Sequence, residues 1–340
     1  MAEPLLEVKD LKVSFRTEDG VVKAVAGVSF NLYPREVLGI VGESGSGKSV
    51  SMMSVLRLIN DPNMQVEGEV IYKGRDLMKL DKDQMQEVRG GEIAMIFQDP
   101  MTSLNPVYKI GEQICEGILT HQDIDRRAAR RRAVELLQQV GIPHAESRVD
   151  DFPHQFSGGM RQRAMIAMAL ANNPDVLIAD EPTTALDVTI QAQIIELIDK
   201  LKDDFGSAVV LITHDLGVVA DIADRIGVMY AGRVVEFGAK RDLFYDPQHP
   251  YTWGLLGSIP RLDRPKASRL HSIEGMPPSL ISLPQGCKFR PRCPHAFEKC
   301  LEEPDLVSRV DKRDHLDRCW LDPATKRVAR YKTIEGGQAA

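Results

Sequence analysis

A glycine-rich loop lies between an apolar strand pattern and a helical pattern, and few folds accommodate that arrangement. The loop follows the apolar run at residues 37–41 and matches G-x-x-x-x-G-K-[ST]. Its glycines allow backbone N–H groups to turn onto phosphate oxygens, and the next helix adds its positive N-terminus. The sequence therefore predicts a strand, a phosphate-binding loop and a helix in that order. The loop residues are Gly42, Glu43, Ser44, Gly45, Ser46, Gly47, Lys48 and Ser49.

The lysine and the hydroxyl residue of such a loop have distinct expected roles. Lys48 is expected to reach the β- and γ-phosphates of ATP, and Ser49 to ligate Mg²⁺. The predicted nucleotide-binding positions of this loop are Gly42, Ser44, Gly45, Ser46, Gly47, Lys48, Ser49 and Val50.

Two acidic residues follow a second apolar run, at residues 176–179. Asp180 is placed to hold Mg²⁺, directly or through water. Glu181 is placed to polarise the attacking water as a general base. The sequence thus predicts nucleotide hydrolysis and not binding alone.

Short apolar runs alternate with helical patterns over most of the chain, which favours an α/β fold. Gly206 ends a helical pattern over residues 190–201, and two alternating runs near the N-terminus, 8–15 and 25–32, indicate an antiparallel β layer. Continuous apolar strands separated by helices predict a mostly parallel sheet covered by helices on both faces. The predicted buried strands are 37–41, 93–97, 176–179, 208–212 and 226–230.

Composition excludes several classes of function. The 340 residues are 43% hydrophobic and 27% charged, and no apolar stretch approaches the roughly 18 residues of a membrane span. The start lacks a basic and apolar leader, which predicts a cytoplasmic protein. A net charge of −6 gives no general basic field, so a nucleic-acid partner is not expected.

Prolines divide the chain unevenly, since ten of the 20 lie between Pro247 and Pro304. Such a segment cannot hold long helices or central strands. We therefore predict an ATPase domain over residues 1–255 and a loop-rich C-terminal extension over residues 256–340.

The stretch at residues 156–163, Phe-Ser-Gly-Gly-Met-Arg-Gln-Arg, resembles the signature motif of ABC-type ATPases. The resemblance covers about residues 5–255 and implies a phosphate-loop (RecA-like) ABC cassette with a helical subdomain at about residues 100–172. In that family Ser157, Gly158 and Gly159 would cap the γ-phosphate of a nucleotide held by a partner subunit. A phosphate-loop kinase or GTPase does not carry this motif.

Other family elements follow in order. The resemblance implies that Gln98 contacts Mg²⁺ and water, that Asp187 faces the partner, and that His214 bonds the γ-phosphate. Phe15 stands where the family stacks an aromatic ring on adenine, although a strand phenylalanine is also an ordinary core residue.

Residues 97–106 and 247–252 are similar to the ATPase subunits of bacterial dipeptide and oligopeptide permeases. That resemblance implies peptide import at the cytoplasmic face of the membrane, with a second and distinct ATPase subunit, two transmembrane permease subunits and, indirectly, an extracytoplasmic peptide-binding protein. Nickel importers share much of this sequence. A soluble ABC ATPase acting on DNA or ribosomes is the alternative of another class, but such proteins usually carry two cassettes or a coiled-coil insertion.

Five arginines between residues 126 and 132 lead into a helical pattern. Such a run is typical of a solvated helix face. A surface for a membrane partner is the second interpretation.

Four of the five cysteines cluster in the C-terminal region, and in a reduced compartment this favours a metal centre. Structural zinc usually has tighter spacing, whereas iron–sulfur ligation tolerates irregular spacing, so the residues leave iron–sulfur, zinc and free thiols open. The permease subunits carry the same pattern and some bind [4Fe–4S], which implies such a cluster here, with a structural or a redox role. Its ligands would be Cys287, Cys293, Cys300 and Cys319.

Overall fold

The computed structural model describes residues 3–184, 186–259, 273–310 and 314–334. The chain forms two compact units. The first unit comprises Met1–Leu6, Leu32–Val37 and Ile71–Ile212, and the second comprises Glu7–Asn31, Leu38–Val70 and Thr213–Ala340.

The strands are β1 (Leu6–Thr17), β2 (Gly20–Leu32), β3 (Val37–Val41), β4 (Met64–Tyr72), β5 (Arg75–Asp76), β6 (Ile93–Ile96), β7 (Val176–Asp180), β8 (Ala208–Thr213), β9 (Arg225–Tyr230), β10 (Arg233–Ala239) and β11 (Leu316–Asp317). The helices are α1 (Lys48–Val55), α2 (Lys82–Val88), α3 (Pro100–Ser103), α4 (Ile110–His121), α5 (Arg126–Gln139), α6 (Ala145–Arg148), α7 (Gly158–Ala169), α8 (Val188–Phe205), α9 (Leu216–Ile222), α10 (Lys240–Tyr245), α11 (Pro250–Gly257) and α12 (Pro323–Ile334).

Parallel strands form the centre of the first unit, in the order β8-β7-β6. Every residue of β7 and β8 is buried, which explains why both read as continuous apolar runs. The strand predicted at residues 93–97 ends one residue earlier, at Ile96. Phe97 lies in the following loop and is 38% exposed.

Helices α4, α5 and α7 pack together in the first unit, within the range predicted for the helical subdomain. Asp125 caps α5 by accepting a hydrogen bond from the N–H of Ala128, and Ala129, Ala133, Leu136 and Leu137 bury its apolar face. Helix α8 ends where predicted, with Gly206 in the left-handed conformation at φ 70°.

The second unit contains two sets of strands. Strands β2, β1 and β4 are neighbours in that order, and only two residues join β1 to β2, so these two strands run antiparallel as predicted. Strands β3 and β9 are parallel, and β10 and β11 continue from β9 in antiparallel pairs.

The C-terminal region adds more regular structure than its prolines suggest. Strand β11 pairs Asp317 with Glu236 and Leu316 with Phe237 of β10. Residue 255 falls inside α11, and the division of the chain into 1–255 and 256–340 stays a prediction.

Candidate functional site

The glycine-rich loop connects β3 to α1 in the second unit, as predicted. A Cβ at Gly47 would lie 2.3 Å from the carbonyl oxygen of Ala24, and Gly47 has φ 97°. Both the conformation and the close approach therefore require glycine. A Cβ at Gly42 would likewise lie 2.2 Å from the carbonyl oxygen of Met229.

Lys48 folds back over this loop. Its Nζ donates to the carbonyl oxygens of Gly42 at 2.7 Å and Glu43 at 3.1 Å, and the residue is 5% exposed. Ser46 is buried, and among the described residues its Oγ has no hydrogen-bond partner. A buried donor without a partner beside left-handed glycines is the arrangement expected of a phosphate cradle.

The rest of the loop is more accessible. Ser44 and Gly45 are exposed, while Ser49 and Val50 are half-buried in the first turn of α1. Gly45 has φ 77° and open space around its Cβ position, so its glycine serves conformation and not packing.

The two acids of the first unit stand at the end of β7. Asp180 is the last residue of the strand and is 4% exposed. Glu181 has φ 45°, a left-handed conformation that costs free energy for a residue with a Cβ. Its N–H donates to the carbonyl oxygen of Ile212 at 2.9 Å.

Two side chains hold the Glu181 carboxylate. Gln98 donates from Nε2 to Glu181 Oε2 at 3.0 Å, and the Thr184 hydroxyl donates to the same oxygen at 2.9 Å. The sequence predicted Gln98 but missed Thr184, whose only signal is its position three residues after the acid.

The predicted signature residues form the start of α7. Ser157 is the N-cap and accepts from the N–H of Met160 at 3.3 Å. Gly158 is exposed, does not have a positive φ, and has nothing within 4 Å of its Cβ position. Within the described residues, packing therefore does not require glycine at position 158.

Asp187 caps α8 by accepting a hydrogen bond from the N–H of Ile190 at 3.0 Å, and Asp187 itself is exposed. Ile190 also approaches the signature helix, since its Cγ2 lies 3.3 Å from the Cβ position of Gly159. Ala185, two residues before Asp187, lies outside the described residues.

The two remaining predicted residues lie in the second unit. Phe15 is half-buried on β1 and so is not part of the fully buried core. His214 is exposed between β8 and α9, one residue before the α9 N-cap Asp215.

The arginine run forms a largely exposed face of α5, as predicted. Arg130 makes a two-bond pair with Asp150, at 3.0 and 2.7 Å, and this guanidinium holds the pKa of Asp150 below its usual value. Arg126, Arg127 and Arg130 also line an open groove between α4 and α5.

The four clustered cysteines line one cavity in the second unit, together with His249 and His295. All four are reduced thiols, with Cys300 and Cys319 buried and Cys287 and Cys293 half-buried. Burial raises the pKa of Cys293 and of Cys319 to about 12, and it also raises the pKa of Cys287. Among the described residues, no group of three or more His, Cys, Asp or Glu side chains is arranged to hold a metal ion.

Within the described ranges, no helix combines the length and the apolar character that crossing a bilayer requires.

Two family models match the chain. The model described as ABC transporter matches residues 25–184, and the model described as oligopeptide/dipeptide transporter, C-terminal region, matches residues 235–300. The chain is 53% identical over 332 residues to the oligopeptide transport ATP-binding protein OppD of Bacillus subtilis, with 97% of this chain and 93% of that protein covered. It is 52% identical over 335 residues to the dipeptide transport ATP-binding protein DppD of Lactococcus lactis, with 98% and 95% covered.

Solved structures agree with these matches. A dimeric ATP-binding cassette in a post-hydrolysis state, bound to ADP and Pi, is 30% identical and superposes with a TM-score of 0.62 over 69% of this chain and 99% of that one. The cbiO1 protein of Clostridium perfringens, part of a cbiONQ complex, is 26% identical with a TM-score of 0.61 over 72% and 92%.

The chain therefore belongs to the ABC transporter family and is an ATPase of its cassette type. The predicted α/β ABC cassette fold is confirmed. Within that family, its C-terminal region places it with the oligopeptide and dipeptide transport ATP-binding proteins.

Proposed function

We propose that the chain is the ATP-hydrolysing subunit that energises import of di- and oligopeptides through a membrane ABC transporter. The observation that carries the hydrolytic part is the Glu181 carboxylate, held by Gln98 and Thr184 directly after the buried Asp180. The peptide cargo is supported by the names of the relatives and by the C-terminal region that they share with this chain.

The loop at residues 42–50 binds the phosphates of ATP in this proposal. Lys48 exchanges its bonds to the carbonyl oxygens of Gly42 and Glu43 for phosphate oxygens, and Ser46 Oγ gains the partner that it lacks in the described residues. When bound, Mg²⁺ neutralises charge on the phosphates, and Ser49, Gln98 and Asp180 are the residues proposed to hold it.

Glu181 acts as the general base that accepts a proton from the attacking water. The hydrogen bonds from Gln98 and Thr184 both fall on Oε2 and orient the carboxylate for this role. His214 is proposed to bond the γ-phosphate and Phe15 to stack on adenine.

The signature residues Ser157, Gly158 and Gly159, with Asp187, are proposed to act on the nucleotide of a second ATPase subunit. The open space at Gly158 supports this, because a partner's nucleotide can approach the helix end closely. The dimeric solved cassette supports a paired arrangement. We propose that the second subunit is a distinct chain.

The assembly proposed for this chain includes two transmembrane permease subunits at the cytoplasmic face of the membrane. An extracytoplasmic peptide-binding protein would act with it indirectly. The α4–α5 groove with its arginine face is the proposed docking surface for a permease subunit.

A transport assay tests cargo and class together. A strain lacking this gene is expected to lose uptake of labelled di- and tripeptides and to regain it with the wild-type gene but not with Glu181→Gln. Loss of nickel uptake with intact peptide uptake would favour the nickel alternative. Recovery of the tagged chain with ribosomes or DNA, and without permease subunits, would favour the soluble class.

A [4Fe–4S] cluster on the four cysteines is the second part of the proposal. Its support is that Cys287, Cys293, Cys300 and Cys319 line one cavity. Thiols with raised pKa values stay protonated, so a bound metal would have to displace their protons. The cluster would staple a segment that is poor in regular structure.

Anaerobic purification of the full chain tests this. We expect iron and acid-labile sulfide in a ratio near that of the cluster, with loss of both in Cys300→Ser. Colourless, iron-free protein would overturn the proposal, and stoichiometric zinc would replace it with a zinc site.

A further inference from the structure

A partly buried ion pair joins the cysteine-bearing segment to the glycine-rich loop. Arg292 donates from Nη1 to Glu43 Oε2 at 2.6 Å and from Nη2 to Glu43 Oε1 at 3.0 Å. The Arg292 side chain is 4% exposed. Two parallel bonds between charged groups in such a buried position fix both distance and orientation.

Arg292 is itself held from several directions. Its Nε donates to the carbonyl oxygen of Glu274 at 3.0 Å, and its Nη2 also donates to that of Ile273 at 3.3 Å. Its guanidinium lies 5.8 Å from the centre of the Tyr230 ring. These contacts therefore fix the position of the guanidinium independently of the loop.

Glu43 in turn sets the geometry of the loop. Its N–H donates to the hydroxyl of Tyr251 at 2.9 Å, and its carbonyl oxygen accepts from Lys48 Nζ and from the N–H of Ser46. A shift of Glu43 would thus move the residue that anchors Lys48.

The segment from Cys287 to Cys293 forms a tight turn that carries two side chains to this region. Backbone bonds join Arg290 to Cys287 and Cys293 to Arg290, at 3.1 and 3.2 Å. Phe289, on the same turn, packs against the rings of Tyr230 and Tyr251 at 5.3 and 5.4 Å. Two of the cavity cysteines, Cys287 and Cys293, therefore bound the turn that carries Arg292 to the loop.

The charge of the pair matters as much as its position. A carboxylate in a loop that receives phosphate groups repels them, and in a partly buried site this repulsion is only weakly screened. Arg292 neutralises that carboxylate within hydrogen-bonding distance.

We propose that Arg292 is a positioning residue for the phosphate loop, which makes the cysteine-bearing segment part of the ATP-binding apparatus. The inference rests on the proposed function of residues 42–50 in binding phosphate. Arg292 acts through Glu43 and does not itself contact the reacting atoms.

Binding of a fluorescent ATP analogue with Mg²⁺ to the full chain tests this, with five variants and a control. Arg292→Gln is expected to raise the Kd roughly 10- to 100-fold, since a shift near 1 Å in a positioned group has effects of that order. Glu43→Gln combined with Arg292→Gln is expected to recover part of that loss, because the uncompensated carboxylate is gone while the positioning bonds remain absent. Arg292→Lys is expected to fall between wild type and Arg292→Gln, and Glu43→Gln alone to bind better than Arg292→Gln.

Glu303→Gln is the matched control. Glu303 belongs to the same C-terminal region and pairs with Arg233 at 2.9 Å, but it makes no recorded bond to the loop. Its Kd is expected to stay within about twofold of wild type.

The inference is overturned if Arg292→Gln binds within about twofold of the control, or if the double variant binds no better than Arg292→Gln. If Arg292→Gln does not fold, as judged by circular dichroism, a Kd for Arg292→Lys equal to wild type overturns it instead. Lys48→Ala distinguishes a failure of the proposed phosphate binding from a failure of the inferred role of Arg292. Unchanged binding in Lys48→Ala contradicts the phosphate-loop function itself, whereas its loss alongside normal binding in Arg292→Gln contradicts only the role of Arg292.

Discussion

Gln98 donates a hydrogen bond from Nε2 to Oε2 of Glu181 over 3.0 Å, although 83 positions separate the two residues in the chain. Gln98 lies in the segment that leads from β6 into the helices of the first unit, and Glu181 directly follows β7. Any movement of that helical segment is therefore transmitted to the proposed general base. This contact gives a structural route by which a docked permease subunit would influence hydrolysis.

Replacing Glu181 with Gln removes the proposed base while keeping an oxygen for the Thr184 hydroxyl. We expect the hydrolysis rate to fall by roughly 10²- to 10⁴-fold, with ATP affinity close to wild type. Phosphate release and binding of a fluorescent ATP analogue measure the two quantities separately. Turnover within a few-fold of wild type would contradict the assignment.

Gly158→Ala tests whether the signature helix serves a second molecule. Within the described residues, the added methyl group meets no atom within 4 Å beyond its chain neighbours and its own helix backbone, so the melting temperature should not fall. ATPase activity of the assembled transporter should nevertheless fall at least about tenfold, because the methyl group obstructs the partner's nucleotide.

Gly117→Ala is the matched control for Gly158→Ala. Gly117 lies inside α4 and also has open space at its Cβ position, so the substitution should raise stability by about 0.5–1 kcal/mol and leave activity unchanged. Equal activities for the two variants would count against a role for Gly158.

Tyr72→Phe removes one of two side-chain donors to Asp175. The Tyr72 hydroxyl donates to Asp175 Oδ2 at 2.6 Å and Lys73 Nζ at 2.7 Å. Burial acts to raise the pKa of Asp175, but the bonds from Lys73 and Tyr72 outweigh it, and the pKa lies below its usual value. Since the Asp175 side chain is 43% exposed, we expect a loss of only about 1 kcal/mol at neutral pH.

The sign of the pH dependence follows from the lowered pKa of Asp175. Its contribution is complete above the unfolded pKa of about 3.9 and is lost as the pH falls through the folded value. The unfolding free energies of wild type and Tyr72→Phe should therefore converge in urea titrations as the pH falls below the lowered pKa of Asp175. Tyr245→Phe, at an 81% exposed position, should match wild type at every pH. A difference that persists at low pH would indicate a packing effect instead.

Lys326→Met disrupts a fully buried ion pair in the second unit. Lys326 Nζ donates to Asp317 Oδ1 at 2.7 Å, and each side chain is 1% exposed. Leaving the Asp317 charge with Arg309 as its remaining cationic partner should cost about 3 kcal/mol.

Asp317→Asn combined with Lys326→Met should recover part of that stability, because both buried charges are then absent. Met at the exposed neighbour Arg327 serves as the control and should change the unfolding free energy by less than about 0.5 kcal/mol. A double variant less stable than Lys326→Met alone would contradict the proposal that the buried Asp317 charge causes the loss of stability.

Local pattern made the central elements of the site predictable. The phosphate loop has fixed spacing, and β7 combines a continuous apolar run with two terminal acids, so both could be located without a structure. Thr184 and Arg292 could not be located in this way. Thr184 matters because the left-handed turn at Glu181 brings its hydroxyl back, and Arg292 reaches a residue 249 positions away. Contacts of that kind depend on packing, which no local spacing encodes.

The C-terminal region illustrates a similar limit. Clustering of the cysteines was visible in the sequence, and their common cavity agrees with it. The pairing of β11 with β10 was not visible in the sequence, because a two-residue strand between prolines and loops carries no strand pattern.

That pairing has a consequence for any shortened version of the chain. Glu236 of β10 is fully buried, and its carboxylate accepts bonds from His315 and from the N–H groups of Gln248 and His249. Cutting the chain near residue 255 would remove His315 and leave the backbone of β10 as an unprotected sheet edge. Such an edge recruits other strands, so we expect the truncated protein to aggregate and not to behave as a minimal ATPase.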